Sequence, residues 1–291
     1  MRLPHFDYSG PTTLAEALRL LAEKGPGARV LAGGTDLIIR MRHGLVKPSA
    51  IIHLGGIAVL RVITYKLKTG LSIGAAATLA EVAGHPDIRR RYPAVAYAAG
   101  ETANVQVRNL GTVGGNLCNA APSADNAPTL MALGAEMVLA GPQGERQVPL
   151  EQFFKGPGQT VLTPGEILTA IHVPPPPPHS GAAYQHVSAR GKVDISAVCV
   201  GVAAVFAGET CQEVRIVLGA VGPTPLRALQ TESLVRGKPF TAELIGQAGE
   251  KAAEESRPIT DVRASADYRK QMVGVLTRRA LLEARKRAGR R

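Results

Sequence analysis

The 291-residue chain holds only three cysteines, Cys118, Cys199 and Cys211, far apart and without C-x-x-C spacing. That excludes a disulfide framework, and it excludes an iron–sulfur cluster ligated by this chain alone, because such clusters need several closely spaced thiolates. Aromatic residues make up 4% of the chain, too few to interleave a basic surface with stacking platforms for nucleic acid. No segment approaches the roughly 20 apolar residues that span a bilayer. Arg2, Pro4, His5 and Asp7 stand where a secretory apolar core would be, so the sequence predicts a cytoplasmic protein without a transmembrane segment. The seven histidines are scattered without ligand spacing, and no metal site is assigned. Also missing are G-x-G-x-x-G after a strand, G-x-x-x-x-G-K-[ST], H-E-x-x-H and G-x-S-x-G. Their absence removes the usual dinucleotide, nucleoside-triphosphate, zinc-protease and serine-hydrolase readings.

What is present suits a folded enzyme. Hydrophobic residues are 45% and charged residues 20%, enough for a full core, and the length predicts about two domains. The net charge is +11, but seven basic residues against the single Glu283 lie between Arg278 and Arg291. Cations there suit the C-terminal end of a helix dipole and need no ligand to explain them.

Helical spacing of Leu14, Ala17, Leu18 and Leu21 follows a capping-box pair, Thr13 and Glu16. A strand over 28–32 then runs through Gly33 and Gly34 into a helix over 37–41. Strands over 50–54 and 71–75 and a helix opening at Thr78 continue an alternation that implies a helix-covered sheet. Small apolar residues predict one packed helix over 92–107, then a helix over 128–135 and a strand over 136–140. Five consecutive prolines, 174–178, predict an extended segment and a domain boundary. Beyond them, strands over 198–206 and 213–220 and helices over 241–255 and 266–287 predict a small α+β domain.

Two glycine turns are the chemical candidates. In Ala32-Gly33-Gly34-Thr35-Asp36, the missing Cβ atoms let a ligand approach the backbone, and the following helix start suits a diphosphate. Alone, such a pair is more often merely a turn. Thr112-Val113-Gly114-Gly115-Asn116 repeats the chemistry and adds a hydroxyl and an amide. Asp125 then offers an acceptor for sugar-type hydroxyls, although its position also suits a cap for the helix near Pro128. Cys118 reads as a small residue packed behind the second loop rather than a redox thiol.

Those strings, with Gly74-Ala75-Ala76-Ala77-Thr78-Leu79, Arg108-Asn109-Leu110-Gly111 and Ala121-Pro122-Ser123-Ala124-Asp125, resemble the FAD-binding medium subunit of the molybdenum hydroxylases. That family includes carbon monoxide dehydrogenase medium chains and the flavin part of xanthine dehydrogenase, and the similarity runs over almost the whole chain. The resemblance implies an α+β protein: a two-lobed FAD-binding domain of the vanillyl-alcohol-oxidase (PCMH) type over 1–175, then a small α+β C-terminal domain over 179–288. It implies that the loops holding Ala32, Gly33, Gly34, Thr35, Asp36 and Thr112, Gly114, Gly115, Asn116 grip the FAD diphosphate, and that Asp125 bonds its hydroxyl-bearing chain. Thr102, Ala103 and Leu168 fall where the family lines the flavin and adenine regions. Near Tyr184 relatives commonly carry a lysine beside the flavin; here the alignable residues are Gln185 and His186, a neutral amide and a titrating imidazole. Read without the family, His186 is an ordinary surface or strand histidine.

The implied function is electron transfer: a large molybdenum-cofactor subunit oxidises the substrate, a small 2Fe-2S subunit relays the electrons, and FAD here passes them on. The implied assembly is a dimer of heterotrimers. Two alternatives stay open, a self-sufficient FAD oxidoreductase of the same fold and a basic nucleic-acid-binding protein. If the glycines serve ligand approach, a β-branched residue at Gly33 or Gly114 should abolish flavin uptake while leaving the fold largely intact.

Overall fold

The computed structural model describes residues 3–190 and 194–289. Three main sheets follow one another along the chain. The first is parallel, with Ala50–His53 between Asp7–Ser9 and Ala28–Leu31. Parallel neighbours need crossovers, which the helices Leu14–Lys24 and Leu37–Arg42 supply. The Thr13 hydroxyl accepts the Glu16 N–H at 3.2 Å, while the Glu16 carboxylate takes the N–H of Thr12 rather than of Thr13. The capping box that the spacing predicts is thus displaced by one residue. Ala17 and Leu21 of this helix pack on Ile52, Leu54 and Ile57.

The second sheet is antiparallel, in the order Ile63–Lys66, Gly70–Gly74, Ile167–Val173, Glu136–Gly141, Gly144–Pro149. Its central strand buries Ile167, Leu168, Ile171 and Val173. Helices Leu79–Gly84, Pro93–Glu101 and Asn126–Ala132 share a core with it through Leu79, Val82, Val95 and Leu130. Thr78 caps its helix with a complete capping box, closed by Glu81.

The single helix predicted over 92–107 is two helices, Pro93–Glu101 and Val105–Leu110. The break has identifiable causes. Ala103 takes φ of 50°, Asn104 caps the new helix by accepting the Val107 N–H at 2.8 Å, and the Arg108 guanidinium donates to the carbonyls of Thr102 and Ala103.

Residues 174–177 form no ladder; the Tyr92 hydroxyl bonds the Pro174 carbonyl and the Ser180 hydroxyl that of Pro177. The third sheet follows, antiparallel, with Ser180–Ser188, Ser196–Ala207, Thr210–Gly219 and Leu226–Arg227. The sequence reading missed its first strand. Helices Ala242–Glu255 and Ala266–Ala288 cover this sheet, burying Leu244, Ala248, Leu276 and Leu281 against Val200, Val202 and Ile216.

The basic helix end is tied to the sheet. Arg285 pairs with Glu209 at 2.8 Å and lies over the Phe206 ring, and Arg287 donates to the Ala182 carbonyl. These charges therefore have structural partners.

The N-terminal core meets the third sheet where helix Asn126–Ala132 lies on it. A Cβ at Gly201 would stand 2.5 Å from the Pro128 carbonyl carbon, so only glycine permits the approach. A second tie is Arg227, which reaches Glu151 at 3.1 Å and bonds the carboxylate of Glu232 through two nitrogens. Glu232 is 1% exposed and also accepts the Ile216 N–H. Replacing Glu232 with alanine leaves Arg227 short of its counter-charge and should lower unfolding free energy by roughly 3–5 kcal/mol, the usual range for breaking a buried pair. Urea denaturation of the variant checks this.

Candidate functional site

A cavity of about 890 Å³ opens between the three sheets, near the upper end of the roughly 300–1,000 Å³ range of ligand clefts. Its walls include Ala32, Gly33, Gly34, Thr35 and Asp36 from the first loop and Thr112, Gly114, Gly115 and Asn116 from the second. Thr102 and Ala103 from the helix break, Asp125, and Leu168 from the central strand complete them. The break is what brings Thr102 and Ala103 here, since a continuous helix would carry the chain past the cavity. Gln185 and His186 lie outside this lining, on strand Ser180–Ser188 opposite Val200 and Cys199.

The two loops, alike in sequence, differ in their backbone. The N–H groups of Gly33, Gly34, Thr35 and Asp36 donate to no acceptor among the described residues. With Gly34 at φ of 73°, this stretch offers a run of open backbone donors, the chemistry that suits an anion. In the second loop every corresponding donor is engaged. Val113 bonds the Ala77 carbonyl, Gly114 that of Ala75, Gly115 the Thr112 hydroxyl and Asn116 the Thr112 carbonyl. That loop offers side chains instead.

Asn116 is oriented by a residue the sequence reading missed. Buried Asn126 donates through Nδ2 to Asn116 Oδ1 and to the Thr102 hydroxyl, each at 3.1 Å. This leaves Asn116 Nδ2 without a bond among the described residues. The signal for Asn126 was its place beside Asp125 at the entry to an otherwise apolar helix. Arg40 was also missed. It lines the cavity one helical turn beyond Asp36, and its guanidinium makes no hydrogen bond among the described residues. By contrast, Arg190 is paired with Asp194 and Arg263 with Asp261.

Asp125 precedes helix Asn126–Ala132 at the cap position but makes no cap bond. Its Oδ1 instead accepts the Tyr184 hydroxyl at 2.6 Å and the Ser196 hydroxyl at 2.5 Å. The carboxyl is 8% exposed, and burial pushes its pKa up, opposed by the Ser196 and Tyr184 hydrogen bonds and by the His186 charge. Behind it, the His186 ring stacks on Tyr184, with Nδ1 3.4 Å from Ser196 Oγ and Nε2 3.5 Å from Glu101 Oε2. Cys118 lines the cavity too; burial pushes its thiol up to about 12, so it stays neutral and unreactive near pH 7. No group of three or more His, Cys, Asp or Glu suited to a metal occurs among the described residues.

Open backbone N–H groups and a buried carboxylate lining one cavity suit a ligand carrying both phosphate and hydroxyl groups, the chemistry of a flavin dinucleotide. Comparison with known proteins gives the family. Residues 4–176 match the FAD binding domain in molybdopterin dehydrogenase, and residues 182–284 match the CO dehydrogenase flavoprotein C-terminal domain. The xanthine dehydrogenase FAD-binding subunit of Escherichia coli O157:H7 is 34% identical over 283 residues, 97% of each chain. The carbon monoxide dehydrogenase medium chain of Hydrogenophaga pseudoflava is 35% identical over 278 residues, 96% of each. Among solved structures, carbon monoxide dehydrogenase from Hydrogenophaga pseudoflava superposes with a TM-score of 0.95 over 99% of both chains at 35% identity. Quinoline 2-oxidoreductase from Pseudomonas putida 86 gives 0.92 over 99% of both at 32%. The chain belongs to the FAD-binding subunits of the molybdenum hydroxylases, and it is an oxidoreductase subunit with FAD as its cofactor. The two-lobed α+β fold expected from the resemblance holds.

The glycines play a part the sequence reading did not assign. A Cβ on Gly33 would overlap the Leu110 carbonyl, and one on Gly114 the carbonyl of Ala75. Here glycine lets loop pack on loop and loop on strand. Valine at either position should therefore lower thermal stability, by roughly 1–3 kcal/mol or more as overpacking does, together with any loss of flavin. Thermal melts of the flavin-free proteins separate this from the expectation of an intact fold.

Proposed function

We propose that this chain is the electron-transfer subunit of a molybdenum hydroxylase complex, taking electrons from a small 2Fe-2S subunit and passing them to a terminal acceptor. In this reading residues 1–175 form the FAD-binding unit and residues 179–288 the C-terminal domain. The observation that carries it is the pairing of four open backbone N–H groups, Gly33 to Asp36, with the buried Asp125 carboxylate in one cavity.

The open N–H groups of the first loop hold the diphosphate, and Arg40 adds positive charge beside them. Asn116 Nδ2, oriented by Asn126, donates a further hydrogen bond from the second loop. Asp125 accepts from the hydroxyl-bearing chain. Leu168 and Ala103 provide apolar walls that exclude water, while Thr102 is fixed by its own bond to the Ala98 carbonyl at 2.8 Å. Bound FAD supplies the redox chemistry, and the protein positions it and tunes its surroundings. With the backbone N–H groups of Val113 to Asn116 engaged, the second loop offers side chains and the first loop supplies most of the open backbone donors for the diphosphate.

Other chains must complete the reaction. Relatives named medium chains of carbon monoxide and glyceraldehyde dehydrogenases support a multi-subunit assembly, and three dispersed cysteines support an iron–sulfur cluster held elsewhere. We assign the partners as a large molybdenum-cofactor subunit and a small 2Fe-2S subunit, in a dimer of heterotrimers. Isolation of the complex with mass and metal analysis tests the assembly. For the site, Asp125→Ala should weaken FAD binding roughly 10- to 100-fold, the worth of a hydrogen bond to a charged group. Flavin fluorescence titration of the full chain checks it, and wild-type protein that stays colourless after reconstitution overturns the reading.

A further inference from the structure

The inference that follows rests on the reading of the cavity as the FAD site. Asp125 and the two hydroxyls that bond it come from different parts of the chain. Asp125 enters the helix on the N-terminal core, whereas Tyr184 and Ser196 sit on neighbouring strands of the third sheet. Both hydroxyls are buried, Tyr184 and Ser196 each being 1% exposed. Both bonds fall on Oδ1 at 2.6 and 2.5 Å. Among the described residues Oδ2 accepts none, so it is the oxygen with capacity to accept from a ligand hydroxyl.

A carboxyl stripped of water favours its neutral form, and a neutral acid would present a proton where the site needs an acceptor. Hydroxyl donors oppose that preference, because they bond the ionised form more strongly. We infer that Tyr184 and Ser196 are positioning residues for FAD binding: they hold Asp125 ionised and turned so that Oδ2 accepts from the cofactor, which makes the third sheet part of the cofactor site.

The ionisable surroundings are consistent with this assignment. Tyr184 and His186 face Asp125 from strand Ser180–Ser188, and Cys199 from strand Ser196–Ala207. Glu101, at the end of helix Pro93–Glu101, faces His186. Burial raises the Tyr184 phenol and the Cys199 thiol far enough to keep both neutral. The His186 imidazole lies next to Ser196 and Glu101 on the Asp125 side of the network.

The test is FAD affinity of the full chain, stripped of flavin, measured by fluorescence quenching from acid to neutral pH. Wild-type affinity should fall on the acid side as Asp125 takes up a proton. Tyr184→Phe and Ser196→Ala each remove a donor that favours the ionised form, so the acid limb should move to higher pH, with affinity on that limb roughly tenfold weaker. Ser196→Thr keeps the hydroxyl and should restore the wild-type limb, while Asp125→Asn should abolish it. Profiles of Tyr184→Phe and Ser196→Ala that superpose on wild type, or that weaken equally at every pH, overturn the inference while wild-type binding leaves the site assignment standing. Wild-type protein that binds no FAD at any pH overturns both.

Discussion

A carboxylate withdrawn from water must find donors, and at Asp125 the donors belong to a different sheet. Much of the architecture follows from that requirement. For Tyr184 and Ser196 to reach Oδ1, helix Asn126–Ala132 must lie against the strands that carry them, and glycine at 201 removes the side chain that would hold it off. The contact joins the two halves of the molecule at the ligand rather than at a distance from it. The ion pairs of Arg227 with Glu151 and Glu232 brace the same junction from the side.

The wall opposite depends on a discontinuity. Thr102 and Ala103 reach the cavity because one helix stops and another begins, and the reversal is held by an asparagine cap and an arginine that collects the freed carbonyls. Asn126 then ties this break to the second loop through Thr102 and Asn116. Three separate stretches of chain thereby share one buried polar chain of contacts, in which each position limits its neighbours.

The sequence carried the sheet-and-helix alternation, both glycine loops and the position of Asp125, because these depend on local periodicity and on turn chemistry. It did not carry the break at 102–104, since Ala-rich stretches look helical until a distant acceptor or cap competes for the backbone. Nor did it separate the two loops. Each reads as small residues before a helix, and whether a peptide N–H is free depends on which carbonyl, Ala75 or Ala77 here, arrives from the remote turn after strand Gly70–Gly74. Gln185 and His186 matched a family position by alignment, and neither is part of the cavity lining. From that strand it is Tyr184, which the same string already contained, whose hydroxyl bonds Asp125, with His186 stacked beside it on the same face.

The second loop's engaged peptide groups have one more implication. Since Val113, Gly114, Gly115 and Asn116 are already satisfied within the protein, that side of the mould is set before any guest arrives. The first loop holds four open peptide N–H groups, and under the proposed reading of the cavity the entropic toll of loading falls mainly on them. An empty subunit would in this way keep its outline during assembly, and a late-arriving coenzyme would complete a frame that is half rigid from the outset.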